Sequence, residues 1–225
     1  MIEQQNIEHH IQKYIIGILM HQKHARFRDL RPPKVDTNLY SYHLKLLQTR
    51  QFVIKTDQGY TLGKKGLLFV DRVTTSSLNI RTQPKIITML VVQNSNGDVL
   101  LMQRKRQPYA DLWTLPYGKL HIDDISTNAA AKREAKEKLG LAGQAVESAG
   151  DCYIRIVDND EVVMSTLAHV FRFETDEIMP TEHLQWVRPH KLASYDLAPA
   201  VADIIARTFF RDSHFFEEYK VELIE

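Results

Sequence analysis

The 225-residue sequence contains one cysteine, Cys152. A lone thiol excludes an intramolecular disulfide and any cysteine-based zinc cluster, and it fits a reducing, cytoplasmic setting. Long apolar runs are scarce. The stretch Ile15 to Met20 is too short, and too polar in its flanks, for a signal peptide or a membrane span. A strong net charge is also missing, since the formal charge is +1 at pH 7. That balance conceals two opposite halves separated by the polar stretch Thr74 to Gln83. Residues 1–82 hold 13 Lys/Arg against 6 Asp/Glu, net +7, and residues 83–225 hold 16 against 22, net −6. Basic character concentrated in a small segment points to a polyanionic partner, because neutralised phosphates release counterions. The plainer alternative is a solvated basic surface. A hydrophobic content of 44% is ordinary for a chain that buries a core, and the length suits two modest domains.

In the first third, Ile7, Ile11, Ile15 and Ile16 recur at helical spacing, which predicts an amphipathic helix from Gln4 to about His21. Arg26 to Leu30 supplies one more helical turn, ended by Pro32 and Pro33, which cannot continue it. Asp36 or Thr37 is placed to cap a third helix running to about Thr49, with Tyr40, Leu44 and Leu47 inward. Phe52 to Lys55 and Tyr60 to Leu62 form a hairpin around Thr56, Asp57, Gln58 and Gly59, and Lys64 to Val73 closes the unit as a helix. This order, with the strings DLRP, NLYSYHLKLL and GYTLGKKG, resembles winged-helix transcription regulators. The resemblance implies that the third helix enters a DNA major groove, with Asn38, Ser41, Tyr42 and Lys45 turned to bases or phosphates. Lys55 and Gln58 on the wing, with Arg50 beside it, would grip the backbone. The same fold also serves as a protein-binding or dimerising module.

Further on, the continuous apolar run Ile86 to Val92 predicts a buried strand, and Asn94, Ser95, Asn96 and Gly97 turn it into a second strand, Val99 to Gln103. Ser126 is placed to cap a helix that runs through KREAKEKL to Leu139 and stops at Gly140. Gly118, Asp124, Arg133, Glu134, Ala135, Glu137, Lys138, Gly140 and Leu141 resemble the signature box of the Nudix hydrolase family. Trp113, Leu115 and Pro116 ahead of it, and Ala130 and Ala131 within it, extend that resemblance over residues 84 to 210.

The resemblance implies an α/β/α sandwich with a mixed sheet, and hydrolysis of a nucleoside diphosphate linked to another group. Magnesium ions would neutralise the pyrophosphate and activate water, held by three carboxylates at i, i+3 and i+4 on one helical face. Here those positions are Glu134, Glu137 and Lys138, so an ammonium stands where a carboxylate is expected. A like-charge contact at about 4 Å costs roughly 4 kcal/mol per charge pair at surface dielectric, which makes weak or absent magnesium binding the expectation. The escape is for Lys138 to contact a substrate phosphate while Glu134 and Glu137 keep one ion.

Two smaller departures concern the loop. Eight residues rather than seven separate Asp124 from Arg133, and the residue is Asp instead of Glu, so Asp124 is expected out of position. Tyr117 stands where the family often has a first glycine, which restricts the loop. Glu182 is the best placed additional metal ligand and Glu177 the second, each otherwise a solvated loop charge. Arg104, Lys105 and Arg106 either hold substrate phosphates or flank an exposed turn, and the substrate-binding set expected is Arg104, Arg106, Gly118 and Lys138. His121 is a candidate base or a solvated loop histidine.

Leu197 to Phe210, with Val201, Ile204, Ile205 and Phe209, predicts a core-packing helix, and Phe215, Phe216 and Tyr219 make an apolar cluster that packs within the chain or forms a homodimer contact. The expected architecture is α+β with two domains: a winged helix-turn-helix at 1–75, a linker at 76–83, and a Nudix-like domain at 84–225 with a C-terminal helix. The expected function is a DNA-binding regulator that senses a nucleotide-derived or sugar-phosphate ligand with weak or no hydrolysis. It is similar to Nudix-related transcriptional regulators with the domain order reversed. The alternative is a magnesium-dependent pyrophosphohydrolase in which Glu137 is the main ligand and Glu134 the base or an outer ligand. Nothing in the residue pattern favours a protein-interaction scaffold.

Overall fold

The computed structural model describes residues 7–74, 78–80, 82–210 and 214–223, and the chain divides into two compact units, 1–82 and 83–225. In the first, helix α1 (His10–His21) starts at His9, whose Nδ1 accepts the Ile11 amide at 3.2 Å. The expected residues Gln4 to Asn6 lie outside the described residues. Ile11, Ile15, Ile16 and Leu19 of α1 share one core with Tyr40, Leu44 and Leu47 of α2 (Thr37–Thr49). Arg26 to Leu30 forms a single turn, with the Leu30 amide donating to the Arg26 carbonyl at 3.3 Å. The carboxylate of Asp36 accepts the Asn38 and Leu39 amides at 2.8 and 3.2 Å, which satisfies donors that the first turn of α2 cannot pair internally. Strands β1 (Val53–Thr56) and β2 (Gly59–Leu62) pair antiparallel, and α3 (Lys64–Val70) follows. It ends at Val70 rather than Val73, because Val73 pairs with Ile80 across a β-bridge.

The second unit is built around β3 (Lys85–Gln93), which is buried on both faces from Ile87 to Val92. Successive strand residues face opposite sides, so an unbroken apolar run requires cover on both. Leu90 and Val92 meet Ala131 and Ala135 of α4 (Thr127–Leu139), while Ile87, Met89 and Val91 share a cluster with Val201, Ile204 and Ile205 of α5 (Val201–Phe210). The result is a three-layer α/β/α sandwich. Strands β4 (Val99–Gln103) and β6 (Tyr117–Lys119) pair antiparallel with β3 on one edge. On the other edge β8 (Glu161–Glu174) runs parallel to it and continues into β7 (Glu147–Asp158), while β5 (Trp113–Thr114) and β9 (Leu184–Val187) both pair with β4.

Three features of the second unit depart from the sequence expectations. Helix α5 begins at Val201 instead of Leu197, because the preceding backbone is tied to Trp113, whose amide donates to Asp196 O and whose carbonyl accepts from Ala198 N, both at 2.8 Å. The tail after α5 is a strand, β10 (Phe215–Glu222), parallel to β7. Strand alternation splits the tail aromatics: Phe215 is buried, whereas Phe216 is 60% exposed. The long β7–β8 hairpin has no counterpart among the expectations, although Cys152, Ile154 and Ile156 alternate with Asp151, Tyr153 and Arg155 at strand period. Among the described residues no helix is long and apolar enough to cross a membrane.

Both tryptophans, Trp113 and Trp186, belong to the second unit, so optical probes can separate the two. Asp36→Ala is expected to lower the stability of the first unit by about 1 kcal/mol through loss of the cap. In urea unfolding, the far-ultraviolet circular dichroism transition of the helical unit moves to lower denaturant while the tryptophan fluorescence midpoint stays in place.

Candidate functional site

Helix α4 begins at Ser126, whose hydroxyl accepts the Ala129 amide at 3.0 Å, and ends at Gly140, whose φ of 73° is the left-handed conformation that closes helices. Its polar face is organised by Arg133. The guanidinium donates to both carboxylate oxygens of Asp124, at 2.9 and 2.8 Å, and to the carbonyl of Lys119 at 3.1 Å. Its remaining terminal nitrogen donates to Glu134 at 2.5 Å and lies 3.5 Å from Glu137. Asp124 also accepts the His121 amide at 2.7 Å. The Arg133 hydrogen bonds, followed by that amide, hold the Asp124 carboxyl down to about 2, and the same contacts push the guanidinium further up.

The expectation that Asp124 is out of position is therefore corrected. The extra residue lies between Asp124 and Arg133, and a shorter carboxylate still makes the two-pronged pairing that suits a planar guanidinium.

Glu134 is 3% exposed and turned onto β6. A Cβ built on Gly118 would lie 1.8–2.0 Å from its carboxylate atoms, so only glycine admits this packing. Gly118 thus acts by making room. The second Glu134 oxygen, Oε2, is buried without a hydrogen-bond partner among the described residues. Glu137 is exposed, and Lys138 is exposed and makes no ion pair among the described residues.

Lys138 instead lines a cleft of about 570 Å³ together with Arg104, Lys105, Arg106, Gln103 and His183. Among the described residues no Asp or Glu lines it. Arg104 is held in place: its Nε donates to the Pro108 carbonyl at 3.0 Å, and its guanidinium lies 5.1 Å from the Tyr117 ring centroid. Tyr117, which the sequence presents as a restriction on the loop, is the platform under Arg104. The Gln103 Oε1 accepts a hydrogen bond from His183 Nδ1 at 3.1 Å. Lys85 sits below its ordinary pKa through burial and then through the neighbouring cations Lys119 and Arg104.

Residues of this length and order match the NUDIX domain model over residues 83–208. The chain belongs to the NUDIX domain family. A MutT protein from Bacillus halodurans is similar at 21% identity, with a TM-score of 0.50 over 60% of this chain and 90% of that one. The NUDIX domain of Shewanella oneidensis NrtR, solved with ADP ribose, is similar at 15% identity and a TM-score of 0.50, over 65% of this chain and 98% of that one. No curated protein matches the sequence.

NUDIX domains generally use a divalent metal such as magnesium, and this NUDIX domain can be tested for a fitting ligand set. Glu134, Glu137 and Glu182 do not gather. Among the described residues no three His, Cys, Asp or Glu side chains come together as a group able to hold an ion. The causes are local: Lys138 occupies the third position, and Glu182 stands exposed before β9, 3.8 Å from His183. Glu177 is likewise exposed, and His121 contributes its backbone amide to Asp124 while its ring faces solvent. The residues present do not fit a carboxylate metal cage.

In the first unit, Asn38, Tyr42 and Lys45 are exposed on α2, and Arg50, Lys55 and Gln58 are exposed at and beside the hairpin. Ser41 is half-buried and donates to the Thr37 carbonyl at 2.7 Å, so its hydroxyl is already engaged.

Because the folded pKa of Asp124 is depressed, from 3.8 to about 2, its stabilising contribution is complete above the unfolded value and is lost as pH falls through that window. Asp124→Asn is expected to be less stable than the parent at neutral pH and to lose less stability on acidification across this window. Chemical unfolding at a series of pH values, followed by tryptophan fluorescence, checks this; parallel acid limbs in the two proteins would contradict it.

Proposed function

We propose that the protein is a DNA-binding transcriptional regulator whose NUDIX domain senses a nucleotide-derived or sugar-phosphate ligand with weak or no hydrolysis. The observation that carries this reading is Lys138, without an ion pair among the described residues, at a cationic cleft where a carboxylate of the metal set is expected. A cleft of this size and sign suits a small anionic metabolite. The DNA-binding half rests on the first unit, which has a net charge of +7 over residues 1–82. It presents Asn38, Tyr42 and Lys45 outward from α2, with Arg50, Lys55 and Gln58 at the hairpin. The order of α1, turn, α2, hairpin and α3 supports a winged helix, in which α2 would enter the major groove and the hairpin would contact phosphates. Two copies on a two-fold operator would suit such a module. ADP ribose, bound by the Shewanella oneidensis NrtR domain, is the first ligand to try.

One observation favours a second reading, magnesium-dependent pyrophosphate hydrolysis. The Glu134 oxygen Oε2, buried beside Gly118 without a partner among the described residues, is a free carboxylate ligand on the signature helix.

Two assays separate them. Retardation of DNA from the protein's own upstream region is expected at low salt, with Lys45→Ala and Lys55→Ala each weakening binding and reducing the salt slope by about 1 where a phosphate contact is lost. Incubation with nucleoside diphosphate derivatives and magnesium is expected to give little product. Rapid turnover abolished by Glu137→Gln would sink the sensing reading, and failure to retard any DNA at low salt would sink the operator-binding one.

A further inference from the structure

We propose that the cleft holds the pyrophosphate group of its ligand without a divalent cation, the Lys138 ammonium supplying charge that a metal would otherwise bring. This deepens the sensing reading of the NUDIX domain and rests on it. The cause lies in how Arg133 distributes the carboxylates of α4. It engages Asp124 through two hydrogen bonds, holds Glu134 against Gly118, and lies 3.5 Å from Glu137. Lys138, one turn beyond Glu134, is left without a neutralising partner among the described residues, although acidic residues precede it on the same helix.

Its companions in the cleft are Arg104, Lys105 and Arg106, with no carboxylate in the lining. Four cations around one small space repel a dication and attract a multiply charged anion, the more so because walls of low dielectric focus the field. Arg104 is preorganised for the task. Its Nε is occupied by Pro108 and its guanidinium carbon lies 5.1 Å from the Tyr117 ring centroid, while its two terminal nitrogens make no hydrogen bond among the described residues. That leaves terminal donors of the kind that grip phosphate oxygens in pairs, with Lys138 in the same lining as a point charge. The volume of about 570 Å³ matches a small-molecule ligand, not a polymer.

Calorimetric titration of the full chain with inorganic pyrophosphate, in buffer containing EDTA and no divalent cation, tests this. Saturable binding is expected. Lys138→Gln and Arg104→Ala are each expected to weaken it by about tenfold or more, as loss of a charge-assisted contact requires. Lys138→Glu is expected to abolish it in EDTA and to restore part of it when magnesium is added. Circular dichroism checks that α4 survives each change, and Lys138→Gln, which keeps a strong helix former at an exposed position, carries the test if Lys138→Glu does not fold. The proposal is overturned if the native chain binds pyrophosphate only with magnesium, or if Lys138→Gln binds as well as the parent. Parallel titration with ADP ribose distinguishes an esterified diphosphate from the free anion. Magnesium-dependent binding without turnover would defeat this proposal and leave the sensing reading standing, whereas turnover of the ligand would defeat the sensing reading.

Discussion

Arg133 is the interaction on which the second unit's functional face depends. One planar guanidinium joins the loop before α4, through Asp124 and the Lys119 carbonyl, to the helix itself, through Glu134 and Glu137. An arginine can do this because its five donors point in fixed directions and it never gives up its proton. The consequence is both structural and electrostatic. The loop is pinned to the helix by one side chain, and Glu134 and Glu137 on the helix lie against the same guanidinium. What α4 then offers the cleft is the charge of Lys138.

The sign of that cleft runs against the unit that contains it. Residues 83–225 carry a net charge of −6, yet the cleft gathers Arg104, Lys105, Arg106 and Lys138. Local placement decides the field here, because charges beyond a Debye length are screened while those lining a cleft act together. The first unit is basic as a whole, which suits an extended polyanion, whereas the NUDIX domain, acidic as a whole, gathers cations at a small cleft, which suits a compact one.

Much of the fold was legible in the sequence where a single physical rule governs a segment. The apolar run of β3 demands cover on both faces, Ser126 and Gly140 bracket α4, and Asp36 fixes the start of α2. The rest depends on partners distant in sequence. The β7–β8 hairpin shows strand alternation but no turn glycine, since Asn159 and Asp160 make its tip with φ of 48° and 66°. The start of α5 is delayed by hydrogen bonds to Trp113, some eighty residues earlier, and β10 exists only because β7 offers it an edge. In the site, the box spacing singled out Gly118, Arg133, Glu134 and Lys138 as candidates, and the fold brings the first three into contact while Lys138 lines the cleft. The spacing misplaced Asp124, because counting residues along a loop cannot foresee how far the loop bulges. It also gave no sign that Tyr117 underlies Arg104, a contact between two segments that only the folded sheet brings together.

The most direct test of this account is the ligand dependence of thermal unfolding of the full chain, followed by tryptophan fluorescence, which reports on the NUDIX domain alone. Anything that binds the native state and not the unfolded one raises the transition temperature. Inorganic pyrophosphate in the presence of EDTA is predicted to raise it by several degrees, while magnesium alone leaves it unchanged. A rise with magnesium alone, or a pyrophosphate effect that appears only with magnesium, would contradict the proposal that Lys138 has turned a metal site into an anion site.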